Sequence, residues 1–333
     1  MSPSYSPPAI SCCIPCFNAA RTIERCLKSV LAEAQTIPDC EIVLIDNAST
    51  DATVEIAGRL LSGLANARII VNDRNIGRIE NWNRCLELAK GRWLRFGMTN
   101  NVLLAGSSRA LLDATEIGVS FVYSDVRRVE EIPIPLPICI TSDPPKKFIS
   151  TAMLGHFAQQ GNITETLDGI LFNGDFVRQE SILFTPMLPY YADFLFVIDC
   201  AWFSYGGCKK IHSVTTLMDM GQPRFAKSGL DAEKYYFEAR QCALRLADCI
   251  QSQRTAFQFL RYHYTHDYGG HPLSFAKTSQ LFEGSEQFPP YGHLLRWRVM
   301  QTKLEIKHFT LRVMCKLGLW KAPEAKAPAP LRR

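Results

Sequence analysis

The stretch over residues 41–51, EIVLIDNASTD, constrains the fold most, because a short polar turn joins an apolar run to a helix. The run at 42–45 is too short for a helix, and a helical pattern follows it, which is typical of a buried parallel strand. In open α/β sheets, ligands bind beyond the carboxyl ends of the strands. Asp46 is therefore expected where a ligand is met. The alternative is that Asp46 and Asn47 only cap and turn the chain.

The first hundred residues repeat this alternation of short apolar runs and helical patterns. The apolar runs lie at 9–14, 42–45, 68–71 and 93–96, and a pattern of helical spacing separates each from the next. The order β-α-β-α-β-α-β predicts a parallel sheet wound by right-handed crossovers. We therefore expect the polar residues that follow these runs to line one edge of the sheet.

The composition limits the class of protein. A chain of 333 residues, 47% hydrophobic and 21% charged, has room for one large α/β domain with an extension, or for two small domains. A net charge of +5 suits an acidic substrate or a membrane surface, but it is too small and scattered to indicate nucleic acid. Neither an export signal nor an apolar run of ~20 residues is visible. We expect a cytoplasmic protein whose 12 cysteines are reduced.

Three motifs resemble those of one known family. Residues 15–18, PCFN, resemble its Pro-x-Tyr-Asn turn, and residues 44–51 resemble its Val-Asp-(Asp/Asn)-x-Ser-x-Asp motif. Residues 75–91 resemble its Asn-x-Gly…Asn…Ala-x-Gly helix. Because the three follow one another in the family's order over about 90 residues, the chain is identified as a member of the family 2 glycosyltransferases, which have the GT-A fold and use nucleotide sugars.

The resemblance implies an α/β, Rossmann-like, mostly parallel sheet flanked by helices, with a C-terminal helical extension. The expected divisions are a loose N-terminus at 1–8, a GT-A domain at 9–225, a helical extension at 226–320 and a disordered tail at 321–333. Within the domain, the nucleotide-binding half is expected at about 9–105 and the acceptor half at about 106–225.

The resemblance also implies a nucleotide-sugar site. Phe17 would lie against the nucleobase and Asp46 would bind its edge. Gly77 would let the backbone approach the nucleotide, and Arg78 would offset phosphate charge. The residues expected to bind the nucleotide sugar are Pro15, Phe17, Asn18, Asp46, Asn47, Asn75, Gly77, Arg78 and Thr99. From the residues alone, Phe17 is equally a core aromatic and Arg78 a solvated residue at a helix start.

After the run at 93–96 the chain departs from the family pattern. The family has an Asp-x-Asp or Asp-Asp element there, which holds a divalent metal on the diphosphate, whereas this chain has Thr99-Asn100-Asn101. Asn100 and Asn101 are the expected ligands of Mg²⁺ or Mn²⁺, but their amides carry no negative charge, so metal affinity should be low. Three interpretations stay open: a weakly held metal, a cation such as Arg78 or Arg95 in its place, or a protein with poor turnover.

Residues 188–196, LPYYADFLF, resemble the family element whose aspartate is the catalytic base of inverting members. Asp193 is expected to begin an apolar helix, as both its cap and a partly desolvated carboxylate with a raised pKa. Such a base must reach the acceptor hydroxyl. The plainer alternative is that Asp193 is only a helix cap, and Asp199 is expected to be structural.

Elsewhere in the acceptor half, the patterns predict two helices and three strands. A helix at 107–115 should be capped by Ser107 or Ser108, and a second is expected at 148–157. Strands are expected at 119–123, ending at Asp125, and at 169–172 and 211–217.

The segment 293–319 has the pattern of a long helix with an apolar stripe flanked by basic residues. Such a helix suits anionic lipid headgroups, which would place the protein peripherally on the inner face of the cell membrane. The alternative is a core helix with snorkelling charges.

Taken together, the resemblance implies inverting transfer of a sugar from a nucleoside diphosphate to a saccharide or lipid-linked saccharide, and the family context implies a role in cell-surface polysaccharide biosynthesis. The main alternative is a catalytically impaired nucleotide-sugar binder or scaffold of the same fold. A nicotinamide-dependent oxidoreductase is disfavoured, because no Gly-x-Gly-x-x-Gly follows the first strand.

Overall fold

The computed structural model describes residues 7–260, with gaps at 38, 140–142, 161, 164–165, 221–231, 253–254 and 256–257, and without the side chains of 232–237. The predictions for helix 293–319 and for the tail at 321–333 lie outside the described residues. Among those that are described, no helix combines the length and the apolar composition needed to cross a membrane.

Nine strands of the described chain form one mixed sheet. The strands are β1 (Ile10–Cys16), β2 (Cys40–Asp46), β3 (Ala67–Val71), β4 (Trp93–Phe96), β5 (Asn101–Leu103), β6 (Phe121–Val129), β7 (Lys146–Phe148), β8 (Ile170–Asn173) and β9 (Cys208–Asp219). Their spatial order is β3-β2-β1-β4-β8-β6-β9-β5, and β7 also pairs with β9. The first four strands pair in parallel, whereas β8 joins β4 and β6 in antiparallel orientation.

Helices cover the two faces of this sheet. They are α1 (Ile23–Ala34), α2 (Thr53–Leu61), α3 (Arg78–Leu88), α4 (Ser107–Asp113), α5 (Ser150–Gln160), α6 (Gly174–Gln179), α7 (Ala192–Trp202) and α8 (Ala232–Ile250). One apolar core lies between the sheet and helices α1, α2 and α4, and a second lies between the sheet and helices α3, α5, α7 and α8. The α/β class predicted from the sequence is confirmed.

The nucleotide half follows directly from its hydrophobic pattern. Every residue of β2 is buried, as expected for a parallel strand covered on both faces. In α1, Ile23, Leu27 and Val30 recur at helical spacing and are fully buried. Strand β1 is longer than predicted and continues through Pro15 and Cys16, because its pairing with β2 runs to the ends of both strands.

The acceptor half departs further from the prediction. Strand β6 does not end at Asp125 but continues to Val129, because it pairs with β9 across an irregularity at Asp125. The prediction of a strand end at this acid is therefore wrong. The Asp125 carboxylate instead forms an ion pair of 2.8 Å with Lys210 of β9.

Ser107 and Ser108 do not cap α4 as predicted, because the cap position is Gly106. Both hydroxyl groups accept hydrogen bonds from Arg95, which is fully buried. The guanidinium also lies 3.5 Å from the buried Glu33 carboxylate. Arg95 is thus the centre of an internal polar network, and the interpretation that it replaces a metal at the sheet edge is wrong.

We expect Arg95→Met to lower the free energy of unfolding by about 3 kcal/mol or more, because it leaves the Glu33 carboxylate buried without its ion-pair partner. Urea unfolding followed by circular dichroism measures this loss. Arg109→Met is the matched control, because Arg109 pairs with Asp113 on the surface of α4. Equal stability losses in the two variants would contradict the assignment of the buried network.

Candidate active site

The turns that follow β1 and β2 are fastened to each other at the edge of the sheet. The Asn18 side-chain oxygen accepts a hydrogen bond of 2.8 Å from the Thr50 N–H, and the Asn18 N–H donates to the Ser49 hydroxyl. Asn18 adopts a left-handed conformation with a φ of 46°, which asparagine tolerates well. Phe17, directly before it, is 46% exposed, so it is not the core aromatic of the alternative interpretation. Pro15 lies buried in β1 below this turn.

Asp46 ends β2 and is fully buried. One carboxylate oxygen accepts a hydrogen bond of 2.8 Å from the Ser49 N–H, and the other accepts one from the Ser49 hydroxyl. These two hydrogen bonds close the turn after β2, which is the role that the alternative interpretation gives to Asp46. The expected contact of Asp46 with a nucleobase stays a prediction.

A network of asparagines joins the end of β2 to the turn after β3. The Asn47 amide donates a hydrogen bond of 2.8 Å to Asn75, and its oxygen accepts one of 2.9 Å from the Ile76 N–H. The side chain of Asn72, which the sequence did not single out, donates to Asn47. Gly77 follows with a φ of 89°, a conformation that side chains disfavour. The network therefore brings Asn47, Asn75 and Gly77 together, as predicted.

Arg78 begins α3 directly after this turn and is exposed. Its guanidinium donates a hydrogen bond to the Pro189 carbonyl and lies 4.9 Å from the centre of the Trp82 ring. Arg78 is thus more than a solvated residue at a helix start. It connects the nucleotide half to the segment of the acceptor half that leads into α7.

Asp193 lies in the first turn of α7, but the cap position is Tyr191, so the prediction that Asp193 caps the helix is wrong. The carboxylate is half-buried and accepts a hydrogen bond of 3.0 Å from the Phe194 N–H. Burial raises the pKa of Asp193 to about 6, and the positive charge of Arg78 acts in the opposite direction. Arg78, at the start of α3, is therefore close enough to Asp193 for its charge to affect the pKa of this carboxylate.

The loop between β4 and β5 carries the residues predicted to hold a metal. Thr99 and Asn100 are half-buried in it, and the Asn100 amide oxygen accepts a hydrogen bond of 3.4 Å from the Thr22 hydroxyl. Asn101 is 3% exposed in β5, and its amide donates a hydrogen bond of 3.2 Å to the Thr166 hydroxyl. The Asn101 side chain is therefore buried inside the protein, whereas Asn100 stays partly exposed in the loop.

Two carboxylates that the sequence did not single out flank this loop. Asp168 is fully buried and accepts hydrogen bonds from the Met98 N–H at 3.1 Å and the Thr166 hydroxyl at 2.9 Å. Burial raises the pKa of Asp168 to about 6. Asp219, at the end of β9, forms an ion pair with Arg25 of α1. Both are brought to the loop by strand pairing over long sequence separations, which no local pattern reveals.

The donor atoms around this loop do not fit a divalent ion held by carboxylates. Asn100 offers a neutral amide, whereas the carboxylates of Asp168 and Asp219 are engaged by protein donors. The described residues contain no group of three or more acidic, histidine or cysteine side chains that could hold a metal.

Comparison with known proteins finds the same family over the first part of the chain. Residues 11–96 match the family model described as glycosyl transferase family 2. A PGL/p-HBAD biosynthesis glycosyltransferase of Mycobacterium bovis is 39% identical over 89 residues, which are 27% of this chain and 34% of that protein. The glycosyltransferase AglE of Haloferax volcanii is 32% identical over 89 residues, covering 27% and 29% of the two chains. The matched stretch spans about a third of the length of these curated relatives.

Two solved structures share the fold. The complex of Staphylococcus aureus TarS 1–349 with UDP-GlcNAc superposes with a TM-score of 0.62 at 15% identity, covering 78% of this chain and 73% of that one. Mannosyltransferase PcManGT from Pyrobaculum calidifontis, solved with GDP-Man and Mn²⁺, gives 0.52 at 13% identity, covering 91% and 82%. The resemblance carried by the motifs is therefore confirmed, and residues 11–96 belong to the family 2 glycosyltransferases within a chain of the GT-A fold.

Proposed function

We propose that the protein transfers a sugar from a nucleoside diphosphate donor to a saccharide or lipid-linked saccharide acceptor, with inversion at the anomeric carbon. The observation that carries this proposal is the half-buried Asp193 carboxylate, whose pKa is raised to about 6 and which lies near Arg78 of the nucleotide half. A general base works best when its pKa lies near the working pH. The family match and the shared fold support the reaction class.

The donor is proposed to bind at the edge formed by the turns after β1, β2 and β3. The exposed ring of Phe17 is available to stack on a nucleobase. Asn18, Asn47 and Asn75 hold these turns in place through short hydrogen bonds, and a preformed site costs less ordering when a ligand binds. Thr99, in the loop between β4 and β5, is proposed to lie against the sugar diphosphate.

In the proposed reaction, Asp193 accepts the proton of the acceptor hydroxyl. The acceptor oxygen forms a bond to the anomeric carbon, while the bond from that carbon to the diphosphate oxygen breaks and the nucleoside diphosphate leaves. Attack from the face opposite the leaving group inverts the anomeric centre. Arg78 is proposed to face the diphosphate while it keeps its contact with the Pro189 carbonyl.

We assign no step of this reaction to a metal, because the amides around Asn100 do not form a carboxylate site. Mg²⁺ and Mn²⁺ are the ions to test. The family holds a divalent metal at the position of Thr99-Asn100-Asn101, and the PcManGT structure was solved with Mn²⁺. A divalent ion at this place would be held mainly by the oxygens of the donor diphosphate, with Asn100 as a neutral ligand.

The biological setting follows by analogy. The relatives include a glycosyltransferase of PGL/p-HBAD biosynthesis, and we propose a role for this protein in cell-surface polysaccharide assembly at the inner face of the membrane. The second candidate is a non-catalytic nucleotide-sugar binder of the same fold. The specific observation that favours it is the absence of an acid from the Thr99-Asn100-Asn101 element.

We expect Asp193→Asn to lower the rate of nucleoside diphosphate release by about 10² to 10⁴, because the amide cannot accept the acceptor proton. The affinity for the donor should stay within about twofold of wild type, since this carboxylate acts on the acceptor. Turnover and calorimetric titration with a donor panel that includes UDP-GlcNAc and GDP-mannose measure the two quantities.

Asp199→Asn is the matched control for Asp193→Asn, because Asp199 lies on the same helix and pairs with Arg245. Its rate should equal that of wild type. Donor binding without turnover in all three proteins would favour the non-catalytic binder, and full activity of Asp193→Asn would exclude this residue as the base.

The rate should also depend on pH in a defined direction. The base acts only when it is deprotonated, so kcat/KM should be full above a pH of about 6 and fall as the pH drops through that value. Arg78→Met removes a charge that lowers the pKa of Asp193, and the acidic limb of the profile should therefore move to higher pH.

Arg84→Met is the control for Arg78→Met, because Arg84 lies on the same helix but is not among the groups that shift the pKa of Asp193. Its acidic limb should coincide with that of wild type. A limb that moves to lower pH in Arg78→Met, or that moves equally in both variants, would contradict the proposed pairing.

We expect the affinity of the wild-type protein for the donor to change less than about threefold between EDTA and Mn²⁺, because neutral amides are poor ligands for hard cations. Asn100→Asp adds a carboxylate in the half-buried loop, so Mn²⁺ should strengthen donor binding of this variant by about tenfold or more. Calorimetric titrations with and without the ion test both statements. A wild-type affinity that already rises tenfold with Mn²⁺ would overturn them.

A further inference from the structure

The segment that leads into α7 is bound on its backbone by two charged side chains from different parts of the chain. Arg78, at the start of α3, donates to the carbonyl of Pro189. Glu238, on α8, accepts hydrogen bonds from the next two N–H groups, those of Tyr190 at 2.6 Å and Tyr191 at 3.1 Å. The backbone at 189–191, just ahead of α7, is therefore bonded to side chains of both α3 and α8.

Glu238 is fully buried, so its position is costly unless its carboxylate is well bound. One of its oxygens accepts both N–H groups, at the point where a helix begins and backbone donors lack intrahelical partners. Burial raises the pKa of Cys242, one turn further along α8, and the negative charges of Asp193 and Glu238 add to this effect. Glu238 thus binds the backbone two residues ahead of Asp193.

Docking of α8 on α7 does not by itself require this buried acid. Ala239, Cys242 and Leu246 of α8 lie in the same apolar core as α7. The two helices are also joined by the ion pair of 2.8 Å between Arg245 and Asp199. The bonds that Glu238 accepts from Tyr190 and Tyr191 differ from these contacts, because they hold the backbone that sets where α7 starts.

We infer that Glu238 is a positioning residue for the reaction, which fixes the start of α7 and thereby the direction of the Asp193 carboxylate. This inference rests on the proposed function, in which Asp193 takes the proton of the acceptor. Asp193 is the second residue of the helix that begins at Ala192, so any shift of the first turn moves its carboxylate. A displacement of about 1 Å at a reacting group is enough to cost on the order of 10²-fold in rate.

The test compares substitutions of Glu238 in the full-length protein. Glu238→Ala should lower kcat for nucleoside diphosphate release by at least about tenfold and leave the affinity for the donor within about twofold. Glu238→Gln, whose amide oxygen accepts the same two bonds, should keep kcat within about threefold of wild type. Hydrogen exchange should become faster at the Tyr190 amide of Glu238→Ala only, and less so at Tyr191, whose N–H also donates to the Leu188 carbonyl at 3.1 Å.

Arg245→Met is the matched control, because it breaks the ion pair with Asp199 that also joins α8 to α7. It should lower the melting temperature and leave kcat unchanged. If Glu238→Ala does not fold, Glu238→Asp replaces it, since the carboxylate is then one methylene too short to reach both N–H groups and kcat should still fall.

The outcomes separate the inference from the proposed function. A wild-type rate that depends on Asp193 but is unchanged in the Glu238 variants, or is lowered equally by Arg245→Met, overturns the positioning role alone. No release of nucleoside diphosphate by the wild type, or full activity of Asp193→Asn, overturns the proposed reaction and removes the base that Glu238 would position.

Discussion

The parallel pairing of β1 with β2, and of β2 with β3, is the constraint on which the donor edge depends. Register aligns Cys16 with Asp46 and Asp46 with Val71, so the three strands end at the same level. The polar turns that follow must therefore meet at one edge, and the hydrogen bonds of Asn18 and Asn47 then fasten them to one another. A slip of one residue in this register would turn every side chain of a strand to the opposite face and separate the turns.

This register explains why the nucleotide half could be predicted from the sequence and much of the acceptor half could not. Strand β2 and helix α1 can be predicted from neighbouring residues alone, since β2 is a short apolar run and α1 has apolar residues at helical spacing. Strand β6 continues past Asp125 only because β9 lies beside it, and β9 is more than 80 residues away in sequence, as the pairing of Asp125 with Val214 requires. The strand propensity of a short stretch of sequence contains no information about a partner strand as distant as β9.

The same distinction holds within the candidate site. Asn75 and Gly77 are recognisable because their motif is local, and the structure joins them through a hydrogen bond from the Gly77 N–H to the Asn75 side chain. Asp168 and Glu238 have no such signal: each is an isolated acid whose importance lies in backbone groups that tertiary contacts bring to it. Arg95 is the opposite case, because the sequence suggested that its charge was free to replace a metal. Its buried partners, which include Ser107 and Glu33, are visible only in the structure.

The proposed donor edge and the proposed base Asp193 are therefore held in place by different contacts. This difference shows what helix α8 contributes to the proposed site. The donor edge is fastened by bonds within the part of the chain that the family model matches. Asp193 lies outside that part, and the segment ahead of its helix is bonded to Arg78 of α3 and to Glu238 of α8. Helix α8 shares an apolar core with α3, α5 and α7, so it is packed on the sheet rather than separate from it. A protein truncated before α8 would keep the contacts of the proposed donor edge and lose the bonds of Glu238 to the backbone ahead of Asp193.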